Sequence, residues 1–146
     1  MLVIAADQAT KTWAENQLTG GNRHVIGPVN FTLTYNSGAA FSFGRGVTPI
    51  IEAVVVVLVV WLLAASRRVS RSASVPASIG MGLLLGGALG NLADRLFRHA
   101  QGHAGGVIDF IQAASWWPVF NVADASIVVG VVVLVLSYAA RPPGHA

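Results

Sequence analysis

The chain has 146 residues, enough for one domain and not comfortably two. Hydrophobic residues make up 54% of it and charged residues only 10%, against about 25% charged in a soluble domain, so lipid is expected around much of the surface. The formal charge of +3 is scattered or sits at the ends of apolar runs, which argues against a nucleic-acid partner, and the absence of cysteine excludes a disulfide framework, a thiolate nucleophile and a Cys-ligated metal.

The chain opens on Met1–Ala6, an apolar run followed by Asp7 and Lys11. Six helical residues reach only about 9 Å, too short to cross a bilayer. The expectation is a truncated first transmembrane helix over about 1–11, its start lying upstream or the short helix dipping into one leaflet. No basic segment precedes the run and no small-residue cleavage site follows it, so a signal peptide is not expected. The stretch at about 12–46 is not helical in pattern. Residues 24–35 alternate or carry β-branched and aromatic side chains around Gly27-Pro28, which predicts a short hairpin or small sheet.

Three longer apolar segments follow, at 47–65, 75–93 and 122–140. Each has about the 20 residues that a spanning helix requires, and in lipid such Val-rich runs become helices because the backbone must bond to itself. Arg67, Arg68 and Arg71 crowd the loop between the second and third spans and Arg141 follows the last, which puts both on the cytoplasmic side. The stretches at about 12–46 and 94–121 then face outward. Trp116, Trp117 and Phe120 suit the headgroup level there. Gly82, Gly86 and Gly90 form a small-xxx-small stripe that lets another helix approach closely.

Ionisable residues at the ends of such spans are costly and need a reason. Asp7, Lys11, Asn36, Asn91, Asp94, Arg95, Asp109, Asn121 and Asp124 all converge on the outer side in this topology. Asn91 with Asp94, and Asn121 with Asp124, are spaced i, i+3 and share a helix face. Bland readings stand beside this. Asp7–Lys11 and Asp94–Arg95 are possible structural pairs, Asn36 in Asn-Ser-Gly is a turn residue, and Glu52 snorkels or faces the bundle. His99 and His103 are four apart, but their Gly-containing polar loop has no HExxH pattern, so no metal site is expected.

No Gly-x-Ser-x-Gly elbow, convincing Ser/His pair or P-loop is present. Carboxylate chemistry remains. Asp109 is flanked by Val107, Ile108, Phe110 and Ile111, and Asp124 opens an apolar helix. Two carboxylates in a low-dielectric site cannot both ionise easily, so one keeps a proton. The ionised one can activate water while the protonated one polarises a carbonyl. Rival readings are an ion-coupled transporter using Asp109, Asp124 and Glu52 as proton or cation sites, and a scaffold built on the Gly stripe. A presenilin-like protease is disfavoured by the lack of a GxGD motif.

Five motifs occur in order: Asp7-Gln8-Ala9-Thr10-Lys11, Asn36-Ser37-Gly38-Ala39-Ala40-Phe41, Gly90-Asn91-Leu92-Ala93-Asp94-Arg95, Val107-Ile108-Asp109-Phe110 and Phe120-Asn121-Val122-Ala123-Asp124. Together they resemble the motif set of the bacterial lipoprotein signal peptidases, the type II signal peptidase family, from about Asp7 to Tyr138. The resemblance implies Asp109 and Asp124 as the catalytic aspartates, with Asp7, Lys11, Asn36, Gly38, Asn91, Asp94, Arg95 and Asn121 supporting or lining the site. It implies an α-helical integral membrane protein, a four-transmembrane-helix bundle with a small periplasmic β-cradle, in the bacterial inner membrane. It further implies no cofactor, a diacylglyceryl-modified prolipoprotein cut before its lipobox cysteine, and inhibition by globomycin.

Overall fold

The structure is a computed structural model that describes residues 1–36, 48–70, 74–98 and 106–140. These form four helices and a three-stranded sheet: α1 (Leu2–Leu18), β1 (Arg23–Ile26), β2 (Val29–Asn36), α2 (Thr48–Ser70), α3 (Val75–Phe97), β3 (Val107–Gln112) and α4 (Val122–Ala139). Among the described residues, α3 and α4 are long and apolar enough to cross a membrane, and Val56–Ser66 forms a shorter apolar stretch within α2. Their outward faces carry apolar side chains. Val57, Trp61, Val128 and Leu136 are each more than 60% exposed, a surface that water would penalise and hydrocarbon accepts.

Helix α3 is the central stave. It starts on the Ser74 cap, with Pro76 in its first turn, where a missing N–H costs nothing. Its glycines serve two neighbours. A Cβ on Gly80 would lie 2.9 Å from the Gly130 carbonyl oxygen, and one on Gly87 2.4 Å from that of Ala123, so this face packs backbone to backbone on α4. A Cβ on Gly86 would meet Val3 at 2.7 Å and one on Gly90 would meet Asp7 at 2.6 Å, so the other face receives α1. The pairing order makes α1 parallel and α4 antiparallel to α3. The expected stripe is thereby corrected. Gly86 and Gly90 belong to the α1 contact, whereas a Cβ on Gly82 would meet nothing within 4 Å.

Helix α1 runs to Leu18, past the expected end near residue 11. Its first half lies along α3 and its second half carries the sheet. Ala14 and Leu18 are buried against Ile108 and Phe110, with Phe31, Leu33, Ile111 and Val122 around them. Trp13, Phe31 and Phe110 add edge and tilted ring contacts at 5.3–6.1 Å, a favoured aromatic geometry.

The expected hairpin is present. β1 and β2 pair antiparallel from Arg23↔Phe31 to Ile26↔Val29, around Gly27 at φ 53°, a value that favours glycine. The sequence pattern gave no strand at 107–112, yet β3 pairs with β2 there, with Tyr35 opposite Ile108 and Thr34 opposite Asp109. Phe120 bridges to Ile111, its carbonyl accepting from Phe110 N and Ile111 N at 3.1 and 2.8 Å. That bridge delivers the next residue, Asn121, to the start of α4 beside β3.

Gly87→Ala should destabilise the protein by about 1–3 kcal/mol, because the new methyl meets a backbone oxygen that cannot rotate away. Gly82→Ala should leave stability within about 1 kcal/mol of the parent, toward the stabilising side. Thermal unfolding in detergent compares the two; equal losses would refute this two-faced packing.

Candidate active site

The polar residues gather at one end of the helices. Asn91 and Asp94 lie near the C-terminal end of α3, and the α2–α3 connection lies at its other end, about 25–30 Å away at 1.5 Å per residue. Lys11 is the hub. With no solvent exposure, its Nζ lies 2.8 Å from Asp7 Oδ2 and 2.8 Å from Asp94 Oδ2, and it donates to Asn91 Oδ1 at 2.9 Å. Three donors thus meet three acceptors, which a buried ammonium requires.

Both of its carboxylate partners are fully engaged. Asp7 Oδ1 accepts from Ala123 N at 3.0 Å, tying α1 to the first turn of α4. Asp94 Oδ1 accepts from Gln8 Nε2 at 2.9 Å and Arg98 Nε at 3.1 Å. Its Oδ2 also accepts from Ile108 N at 3.2 Å, tying α3 to β3. Asp7, Lys11 and Asp94 therefore join four elements through one buried charge cluster.

Two other carboxylates are held differently. Asp109 is 2% exposed and accepts from two neutral amides, Asn36 Nδ2 at 3.0 Å on Oδ2 and Asn121 Nδ2 at 2.7 Å on Oδ1. Asp124 accepts from Asn91 Nδ2 at 2.8 Å on Oδ1 and from Asn121 N at 3.1 Å on Oδ2. Asn121 and Asp124 form a capping box at the start of α4, the Asn121 side-chain Oδ1 accepting from Asp124 N at 3.0 Å. This single cap fixes both the helix start and the placement of Asp124.

The amide orientations follow from the hub. Lys11 occupies Asn91 Oδ1, so the Asn91 NH₂ turns to Asp124. Asp124 N occupies Asn121 Oδ1, so the Asn121 NH₂ bridges Asp109 and, at 3.0 Å, Asn91 Oδ1. Among the described residues, neither carboxylate of this second pair makes an ion pair with a cation. The Asp109 pKa is raised from 3.8 to about 6, the net of burial and the Asp124 charge, which raise it, against the bonds from Asn36 and Asn121 and the charge of Lys11, which lower it.

Asp7, Lys11, Asn36, Asn91, Asp94, Asp109, Asn121 and Asp124 are thus brought into one network. Gly38 lies outside the described residues, as do His99, His103 and Arg71; so does the side chain of Glu52. The expected Asp94–Arg95 pairing is replaced. Asp94 takes Lys11 and Arg98, while Arg95 Nη1 is buried without a hydrogen-bond partner. Gln8, which stands in the first motif without a role assigned to it, joins the network, as do Glu15 and Arg98, which stand in no motif. The signal for Arg98 is helical spacing, Asp94 and Arg98 being i, i+4. Among the described residues no three His, Asp or Glu side chains gather as metal ligands. An apolar groove of ≈ 350 Å³, lined by Trp117, Phe120, Ala125, Val128 and Val129, opens beside Asp124.

Apolar helices capped at one end by a small sheet, with buried carboxylates between, define a helical membrane protein with a desolvated acid site. The sequence family described as "Signal peptidase (SPase) II" matches residues 1–140, and the chain belongs to that family. Relatives named lipoprotein signal peptidase include one from Mycobacterium leprae (strain Br4923), 42% identical over 137 residues, and one from Mycobacterium avium (strain 104), 43% identical over 136. Each alignment covers 92% of this chain, and the chain spans 66% and 72% of those relatives. Two solved structures, described as a bacterial membrane enzyme determined by the in meso method at 2.3 and 1.9 Å, superpose with TM-scores of 0.77 and 0.78. They are 25% and 26% identical, over 99% and 97% of this chain and 90% of each neighbour.

Lys11→Met should cost about 3–5 kcal/mol, since it leaves Asp7 and Asp94 buried without their counter-charge. Denaturant or thermal unfolding in detergent measures the loss. A cost under about 1 kcal/mol would mean that the cluster does not hold the four elements together.

Proposed function

We propose that this chain is an aspartic endopeptidase that removes the signal peptide from diacylglyceryl-modified prolipoproteins, with Asp109 and Asp124 as the catalytic pair. The observation that carries the reading is the division among the acids of the site, of which Asp7, Asp94 and Asp109 are buried and Asp124 is partly buried. Asp7 and Asp94 are neutralised by Lys11, whereas Asp109 and Asp124 are held by amide donors alone and share Asn121. A pair held by neutral donors in a desolvated site can keep one proton between its members.

The ionised member then takes a proton from water as that water attacks the scissile carbonyl, and the protonated member donates to the carbonyl oxygen. Collapse of the tetrahedral intermediate returns a proton to the leaving amine. Asp124, in the first turn of α4, is favoured as the anion by the helix dipole, while the raised pKa of Asp109 suits it to hold the proton.

In the proposed topology all four helices are membrane-embedded in the inner membrane. The sheet forms a cradle on the outer, periplasmic face, and Arg67, Arg68 and Arg71 lie on the cytoplasmic side. The scissile bond of a substrate anchored by a signal helix and acyl chains lies near that surface. The groove beside Asp124 offers an apolar wall there, and burial of acyl chains contributes about 0.8 kcal/mol per CH₂. A globomycin-type peptide would block the same site. The transporter reading gains nothing, because the acids gather at one end of the helices and not at the midplane.

Asp109→Asn and Asp124→Asn should each lower cleavage of a diacylglyceryl-modified precursor by about 10²–10⁴-fold while preserving the fold; substantial turnover by either would falsify the dyad. The pH profile has a definite sign. The Asp109 value near 6 arises with Asp124 charged, so it marks loss of the pair's last proton. The profile of kcat/KM, which reports the free enzyme, should fall as pH rises through about 6. A profile flat from pH 5 to 8 would count against the shared proton.

A further inference from the structure

Arg98 belongs to none of the sequence motifs. It follows α3 directly and is 12% exposed. Its Nε donates to Asp94 Oδ1 at 3.1 Å, its Nη1 pairs with Glu15 on α1, and its Nη2 donates to Gln8 Oε1 at 3.4 Å. The two carboxylates it grips each hold one strand of the sheet. Asp94 accepts from Ile108 N on β3 at 3.2 Å. Glu15 faces Tyr35 on β2, where burial first and then the Glu15 charge and its contact with the hydroxyl push the Tyr35 pKa up, against the charge of Arg98.

Tyr35 and Ile108 are directly opposite each other in the β2–β3 ladder. The next residue along each strand carries the chemistry: Asn36 follows Tyr35, Asp109 follows Ile108, and Asn36 Nδ2 donates to Asp109 Oδ2 at 3.0 Å. We infer that Arg98 is a positioning residue: by clamping Asp94 and Glu15 together it fixes the Tyr35–Ile108 step of the sheet and so holds the Asn36 amide on Asp109. A guanidinium suits this task because its planar fork reaches two carboxylates at once, which a lysine ammonium does less well. Helices α1 and α3, already packed along their length, are thereby tied at their C-terminal ends into one mount for the strand pair.

The clamp rests on the proposed catalytic role of Asp109 only for its kinetic consequence; its geometric content is read by titration. The groups that act on Asp109 are Asp124 from α4 and Lys11 from α1, with Asn36 and Asn121 as amide donors. Losing the Asn36 donor withdraws support from the anion, so the Asp109 midpoint should rise by roughly half to one pH unit, the size of one hydrogen bond.

The experiment follows carboxyl-labelled aspartate by NMR in the detergent-solubilised full chain, with the Asp109 signal assigned by its loss in Asp109→Asn. Arg98→Gln and Tyr35→Phe should each raise the Asp109 midpoint, and neither should raise it further in an Asn36→Ala background. On a lipidated precursor both should lower kcat with KM changed less than about twofold, the pattern of an interaction made in the transition state. An unmoved midpoint in both variants overturns the clamp, and so does a shift of equal size with and without the Asn36 amide. If Arg98→Gln does not fold, Tyr35→Phe, which removes one hydroxyl from a partly exposed residue, decides alone. If the parent chain cleaves nothing, the proposed function fails while the titration still decides the clamp.

Discussion

The Lys11 ammonium, 2.8 Å from Asp7 and from Asp94 and shut off from solvent, is the contact on which the other polar interactions depend. A charge taken from water costs several kcal/mol unless neighbours replace its hydration. Here the replacement is complete, by Asp7 of α1 and by Asn91 and Asp94 of α3. Asp7 brings the first turn of α4 through Ala123 N, and Asp94 brings β3 through Ile108 N. Asn91 receives the third ammonium proton, so its amide faces Asp124. The same ion pairs that close the bundle therefore aim the amides at the other two acids.

Close helix approach makes this possible. Gly90 leaves room for the Asp7 carboxylate between α1 and α3, and Gly87 lets the α4 backbone lie against α3. Without lipid–water segregation to press helices together, such contacts rest on van der Waals packing and interhelical hydrogen bonds. Both are present at the same level of the bundle. The apolar half of the molecule thus sets the distance at which the polar half can operate.

Much of this was legible in the sequence, for physical reasons that differ by element. The apolar runs of α3 and α4 and the Gly27-Pro28 hairpin follow from span length and turn chemistry. The i, i+3 pairs located Asn91 with Asp94 and Asn121 with Asp124, because each lies on one helix. β3 escaped because residues 107–111 have no clean polar alternation; both of its faces are buried at Val107–Phe110. Gly82 was grouped with Gly86 and Gly90 because four-residue spacing does not say which neighbour a helix face meets. Glu15 and Arg98 stand in no motif, and the motif that holds Gln8 does not name its partners. They meet only because α1 runs parallel to α3, a fact of tertiary topology. Arg95 drew attention through its motif, while the cation on Asp94 is its neighbour one turn on.

The choice of donors around Asp109 explains why asparagine, and not lysine or arginine, surrounds it. A cation in contact with a carboxylate favours the charged form and typically lowers its pKa by one to three units. A neutral amide satisfies the oxygen's geometry with a weaker bias. Burial is the largest cause of the Asp109 rise, and the amides from Asn36 and Asn121 moderate it to a net value of about 6. Moving Lys11 one helical turn toward β3 would stabilise the carboxylate and remove the proton the proposed chemistry needs. Spending the cations on Asp7, Asp94 and Glu15 keeps the fold electrically settled while leaving Asp109 and Asp124 able to exchange a proton. Under the proposed mechanism stability and reactivity fall to different carboxylates, and the asparagines between them transmit position without transmitting charge.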